Sequence, residues 1–207
     1  MLPDPPLLLI TDRRQARGDL AEQVAAACAG GCRWVSLREK DLAEAEQIAL
    51  FGRLRAATKP FGAVLTLHGP AALAQAAGAD GVHLSSGSNA RIARALLGPG
   101  ALIGLSTHAP GEGRESADVL DYVTASPVFL TASKPGYGPA LGLDGLAACV
   151  AATPVPVIAL GGIDAETAAA CRAAGAAGIA VMGAVMRAGD AGAEIGRLLT
   201  RPIPCRR

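Results

Sequence analysis

The sequence predicts an α/β protein whose 207 residues form a single (β/α)8 TIM barrel, one domain spanning residues 1–207. Three observations carry this expectation. Short apolar runs recur eight times, most of them bounded by Gly, Pro or Asp, as expected of strands covered on both faces in a parallel sheet. Ala-rich segments of helical composition lie between them, which is the alternation of βα units. Polar residues gather at the C-terminal ends of the runs. In a barrel those ends converge on one mouth, whereas a doubly wound open sheet, the alternative, spreads them along an edge. Eight units in about 200 residues sit near the lower size limit of the barrel.

The elements follow in order. The run LLLIT (7–11) leads through Asp12 to DLAEQVAAACAGG, a helix with a Gly-Gly stop. RWVSLRE (33–39) precedes DLAEAEQIALFGRLRAAT, which repeats Leu and Ile at roughly helical intervals. AVLTLH (63–68) precedes GPAALAQAAGAD, a short helix ending at Gly78. GVHLSS (81–86), LIGLSTH (102–108) and YVTASPV (122–128) are the next three strands. VPVIALGG (155–162) leads to a helix with Asp164 as its N-cap and Gly175 at its end, and GIAVMGA (178–184) closes the series.

Composition narrows the function. Half the residues are hydrophobic (51%) and 18% are charged, which excludes a disordered chain. Aromatics at 3% argue against stacking platforms for single strands, and a net charge of +1 offers no basic field, so no nucleic-acid partner is expected. No apolar run approaches a membrane span, and MLPDPPLLLITDRR has no basic leader, so the expected location is cytoplasmic with no membrane partner. Five cysteines without framework spacing agree, and Cys28 and Cys32 are read as core thiols rather than metal ligands. The Ala-rich helices leave a homo-oligomer open, with no stripe that names its face. The basic tail RPIPCRR is read as a solvated terminus.

The strand ends carry the candidate chemistry. Gly161 and Gly162, and Met182 with Gly183, lie where the last two strands turn into helices. Backbone N–H groups there can meet a phosphate, as they often do after strands seven and eight of a barrel. In SLREKD, alternation sends Arg38 and Lys40 to one face, suited to carboxylate or phosphate, unless they pair with Glu39 and Asp41. The long loop 127–142 offers Thr131, Ser133 and Lys134, with a glycine on each side of Tyr137. His108 ends the fifth strand at the mouth, His68 ends the third, and His83 reads as a packed core histidine. The third and fourth strand ends carry no carboxylate, so no metal site is read there; Asp12 and Asp41 are the nearest acids, on other strand ends.

Together SLREKD, GADGVHL, IGLSTH, PVFLTASKPGYGPALG, IALGGI and GIAVMGAVM resemble the thiamin phosphate synthase and TenI superfamily, from about residue 7 to residue 190. The resemblance implies the barrel and recognition of a thiazole phosphate. The superfamily has two activities. The synthase joins a pyrimidine diphosphate to a thiazole phosphate with loss of pyrophosphate and help from Mg²⁺; the tautomerase aromatises a carboxythiazole phosphate without metal. This sequence has Ser36 where the synthase pattern has Gln, while Arg38 and Lys40 match. It has His68-Gly69 where the synthase has Asn-Asp, and Ser88 where the synthase has a second Asp. Gly183 replaces a common serine, and TASKPGYG is closer to the synthase loop.

The absent carboxylates at positions 69 and 88 favour the tautomerase, while His68, Gly183 and the loop leave the synthase open. In the tautomerase expectation His108 is the acid–base group, oriented by Thr107 or Ser106. Gly161, Gly162, Met182 and Gly183 bind the phosphate, and Arg38, Lys40 or Lys134 hold the substrate carboxylate. No cofactor is needed, Mg²⁺ entering only with the synthase alternative. A third alternative is a non-catalytic, regulatory binder of phosphate ligands.

Overall fold

The computed structural model describes residues 1–131 and 138–200. Eight strands run in parallel: β1 (Leu7–Ile10), β2 (Trp34–Leu37), β3 (Val64–His68), β4 (Gly81–Leu84), β5 (Leu102–Thr107), β6 (Tyr122–Ala125), β7 (Val157–Leu160) and β8 (Gly178–Val181). Each pairs with the next, and β8 returns to β1 with Ile179 opposite Leu7, so the sheet closes into a barrel. The closed order rules out the open sheet. Most strands are shorter than the apolar runs, although β3 still pairs at His68 and β5 at Thr107.

The helices are α1 (Leu20–Ala29), α2 (Glu44–Thr58), α3 (Ala71–Ala76), α4 (Ala90–Leu97), α5 (Gly142–Ala151), α6 (Ala165–Ala173), α7 (Gly183–Met186) and α8 (Ala191–Leu199). Asp19, Asn89, Asp164 and Asp190 cap α1, α4, α6 and α8 by accepting first-turn N–H groups. The strand–helix alternation breaks once. β5 reaches β6 through a 3₁₀ turn, Arg114–Ser116, with no α-helix. Gly111 and Gly113, at φ 84° and 78°, turn the chain there instead. None of the described helices is long and apolar enough to cross a membrane.

Alternation explains the unbroken apolar runs. Leu8, Ile10, Trp34, Leu102, Tyr122, Ile158 and Ala180 fill the barrel interior. Their neighbours Leu7, Leu9, Val35, Leu37 and Ile179 point outward under the helices, so both strand faces are buried. Cys28 and Cys32 are fully buried there as free thiols. Carboxylates lock the lower rim. Asp80 pairs with Arg55 at 2.8 Å and accepts the Leu65 amide at 2.7 Å; Asp121 likewise takes Arg94 and the Ile103 amide, both at 2.7 Å.

Tyr122 is fully buried and meets Trp34 edge-on, with ring centroids 4.7 Å apart. Gly104 of β5 makes room for it: a Cβ there would lie 2.0 Å from the Tyr122 Cζ. Gly104→Ala is expected to destabilise the protein by about 1–3 kcal/mol in urea unfolding through overpacking. Gly52→Ala in α2, where nothing lies within 4 Å, is the control and is expected to gain about 0.5–1 kcal/mol.

Candidate active site

A cavity of about 410 Å³ opens at the C-terminal ends of the strands. Arg38, Lys40, His68, His108, Thr131, Gly161, Gly162, Met182 and Gly183 all line it. Ser133, Lys134 and Tyr137 lie outside the described residues. Ser85, Ser126, Asp164 and Arg187 also line the cavity. Ser85, Ser126 and Asp164 follow from the rule that strand ends face the mouth. Arg187 lies past α7 and carries no local signal; its guanidinium bonds the Gln15 side chain after β1.

The cavity has two unlike walls. Ile10, Leu160, Ala180 and Met182 form an apolar one. Opposite, the strand interior turns polar. His83 is fully buried; its Nδ1 meets the Tyr122 hydroxyl and its Nε2 the Ser106 hydroxyl, both at 2.9 Å. The His68 ring, 8% exposed, lies 4.7 Å from the His83 ring, centroid to centroid. Thus Ser106 is spent on His83, and Thr107 donates to the Thr124 carbonyl at 3.0 Å. Contrary to the expectation from sequence, neither orients His108: its Nδ1 donates to the Ser126 carbonyl at 2.8 Å, while its backbone N–H meets Glu112. Oriented so, a neutral His108 ring carries its acceptor on Nε2.

At the glycine end, the loop after β6 lies directly on Gly161 and Gly162. The Phe129 amide donates to the Gly161 carbonyl at 3.0 Å, and a Cβ on Gly162 would lie 2.6 Å from the Leu130 carbonyl oxygen. Both glycines have positive φ, 104° and 62°. Close approach and backbone conformation therefore both demand glycine. Met182 caps α7, which starts at Gly183.

At the cationic end, Arg38 and Lys40 do not pair with Glu39 and Asp41. Those carboxylates face the β1 end instead. Glu39, 2% exposed, accepts from the Thr11 hydroxyl at 2.9 Å, the Arg13 amide at 3.0 Å and the Arg13 guanidinium at 3.1 Å. Asp41 takes Arg13 and Arg14, and the Arg13 hydrogen bond holds its carboxyl at about 2. The Thr11 hydroxyl in turn accepts the Arg38 amide at 2.9 Å. Among the described residues neither Arg38 nor Lys40 forms an ion pair. Desolvation, then the Arg38 charge, lowers the Lys40 pKa. The His83 imidazole is held down at about 3 by burial, with Lys40 and Arg38 adding to the effect.

Two expectations follow. Thr11→Val keeps the shape but strips Glu39 and the Arg38 amide of a partner, so it is expected to cost about 1–3 kcal/mol in urea unfolding, with Thr11→Ser recovering most of it. His83 binds a proton near 6.5 when unfolded but only near 3 when folded. The unfolded state therefore binds more protons between those values, and stability falls as pH drops through that window, by at most about 1.4 kcal/mol per unit from this group. His83→Gln is expected to flatten that part of the pH–stability curve relative to the unaltered chain, measured by denaturant unfolding from pH 7 to pH 4.

Residues 7–185 match the family model described as thiamine monophosphate synthase. A relative from Geobacter sulfurreducens, named provisionally as a thiamine-phosphate synthase, is 47% identical over 185 residues, covering 87% of this chain and 86% of that protein. The thiamine-phosphate synthase of Moorella thermoacetica is 36% identical over 193 residues, covering 92% of each. The thiamine phosphate pyrophosphorylase of Pyrococcus furiosus superposes with a TM-score of 0.81 at 31% identity, covering 93% of this chain and 92% of that one. These names denote transferases, and they overturn the expectation that an isomerase is the better reading. That expectation leaned on His108 and on missing carboxylates, local departures that the likeness of the whole chain outweighs. The chain belongs to the thiamine monophosphate synthase family.

Proposed function

We propose that this protein is a transferase that makes thiamin phosphate from a pyrimidine diphosphate and a thiazole phosphate. The 47% identity to the Geobacter relative across nearly the whole chain carries the reading. The cavity supports it with two anion-seeking ends and an apolar wall between them. One end would take the thiazole phosphate on backbone N–H groups of Gly161, Gly162, Met182 and Gly183, helped by the first turn of α7. Arg38 and Lys40 would take the diphosphate, and the resemblance adds Ser133 and Lys134 to the residues that bind substrate. The two rings would lie along Ile10, Leu160 and Ala180.

The reaction balances without a proton shuttle. The ring nitrogen of the thiazole donates its lone pair to the methylene carbon of the pyrimidine. The C–N bond forms, the C–O bond breaks, and pyrophosphate leaves with the electron pair. Fixed cations at the leaving group stabilise the charge that builds there. His108 then serves as a hydrogen-bonding group at the rim, and His68, beside Lys40, as a polar contact for the diphosphate end.

The resemblance also implies Mg²⁺, and the donors present do not fit it. Asp164 is the one carboxylate lining the main cavity among the described residues. It is committed to α6, accepting the Glu166 and Thr167 amides at 3.0 and 2.8 Å. Positions 69 and 88 offer only glycine and a serine hydroxyl. No step is therefore routed through a metal.

The test supplies both substrates, with and without Mg²⁺, and follows thiamin phosphate. Product is expected, and Arg38→Ala is expected to cut kcat/KM by about 10²–10³-fold, as loss of a preorganised charge contact does. A folded protein that makes no product under either condition would sink the reading.

A further inference from the structure

The charges around the mouth are unbalanced in one direction. Arg38, Lys40 and Arg187 line the main cavity, together with His68 and His108, against one capped carboxylate among the described residues, Asp164. A side cavity shares Lys40, His68 and Ser85 with it and runs between α2, α3 and α4. It adds one exposed carboxylate, Glu44, beside Gln47, Ser88 and Asn89. The nearer acids are taken: Glu39 and Asp41 by Arg13 and Arg14, and Asp12 by the Arg14 amide and Gln15. Among the described residues no three His, Cys, Asp or Glu side chains converge as a metal site. The field of Arg38 and Lys40 reaches the buried His83, and no carboxylate offsets it at Lys40.

Such a mouth attracts a polyanion and repels a divalent cation. A Mg²⁺ held by protein needs hard oxygen ligands, usually one or two carboxylates besides the phosphates. Here Arg38 and Lys40 place fixed positive charge in the cavity itself.

We infer that Arg38 and Lys40 neutralise the diphosphate directly, so that this chain binds pyrophosphate with no metal ion of its own. This rests on the proposed transferase for its biological meaning. As a binding property it is measured apart from turnover.

The experiment titrates the full chain with pyrophosphate by calorimetry, once in EDTA and once in Mg²⁺. Affinity in EDTA is expected to lie within fivefold of that in Mg²⁺, or to exceed it; a larger loss on chelation overturns the inference. Lys40→Gln and Arg38→Gln, each checked for folding by circular dichroism, are expected to weaken binding in EDTA at least tenfold, and a smaller loss in both overturns it. A second arm follows the Mn²⁺ resonance signal while protein is added without pyrophosphate. An unchanged signal is expected, and stoichiometric loss of signal overturns the inference. Pyrophosphate bound in EDTA with no thiamin phosphate made would defeat the proposed reaction and leave this inference standing. Product formed with pyrophosphate binding only in Mg²⁺ would do the reverse.

Discussion

One buried carboxylate organises the mouth. Glu39 sits at the end of β2 with almost no exposure and bonds three groups of the segment after β1. A buried charge persists only when its lone pairs are met, and here Thr11 and Arg13 meet them. The consequence lies in the alternation of the chain. With Glu39 and Asp41 drawn toward β1, Arg38 and Lys40 between and before them face the cavity. Like charges on neighbouring positions repel, so this arrangement needs a rigid backbone beneath it. The Thr11 hydroxyl, bonded to both Glu39 and the Arg38 amide, supplies that rigidity.

The rest of the site follows from where the barrel interior changes character. Below, Leu8, Trp34, Leu102, Tyr122 and Ile158 fill it with apolar volume. Above, on the β3 to β6 side, His83, Ser106 and Thr124 form a connected polar layer. On the β7, β8 and β1 side, Leu160, Ala180 and Ile10 keep it apolar to the rim. The boundary divides the cavity lengthwise. A flat ring set against the apolar wall excludes water, and charges placed beside it then interact in a lower dielectric. In the proposed reading, binding of rings and binding of phosphates would reinforce each other.

The barrel was legible in the sequence because parallel strands buried on both faces leave unbroken apolar runs, and a wrong register would disturb every one. The missing helix between β5 and β6 was not foreseen, since a pattern repeated seven times invites an eighth. Gly111 and Gly113 were the available sign against it. Arg38, Lys40, His68, His108 and the glycines were legible as site candidates because strand ends in a barrel share one mouth. The partners of those residues were not. Which of Ser106, Thr107 or Ser126 meets His108 depends on the register between β5 and β6, where Ser106 lies opposite Thr124 and Thr107 opposite Ala125. Choice of reaction was harder still. A histidine at a strand end signals proton transfer only if the chemistry moves a proton, and the residue cannot declare that by itself.

The two rims of the barrel put the same residue types to opposite use. At the lower rim two arginines are closed on carboxylates: Arg55 on Asp80, Arg94 on Asp121, with strand amides completing the set. Those charges are satisfied within the fold and offer nothing to a ligand. At the upper rim the carboxylates of SLREKD are diverted to Arg13 and Arg14, which leaves the two cations of the same motif open. Stability would be served by pairing them too. Leaving them unpaired keeps their attraction for an incoming anion, because no carboxylate screens it. In the proposed reading Arg13 and Arg14 act at the site without lining it: by occupying the acids, they keep Arg38 and Lys40 available.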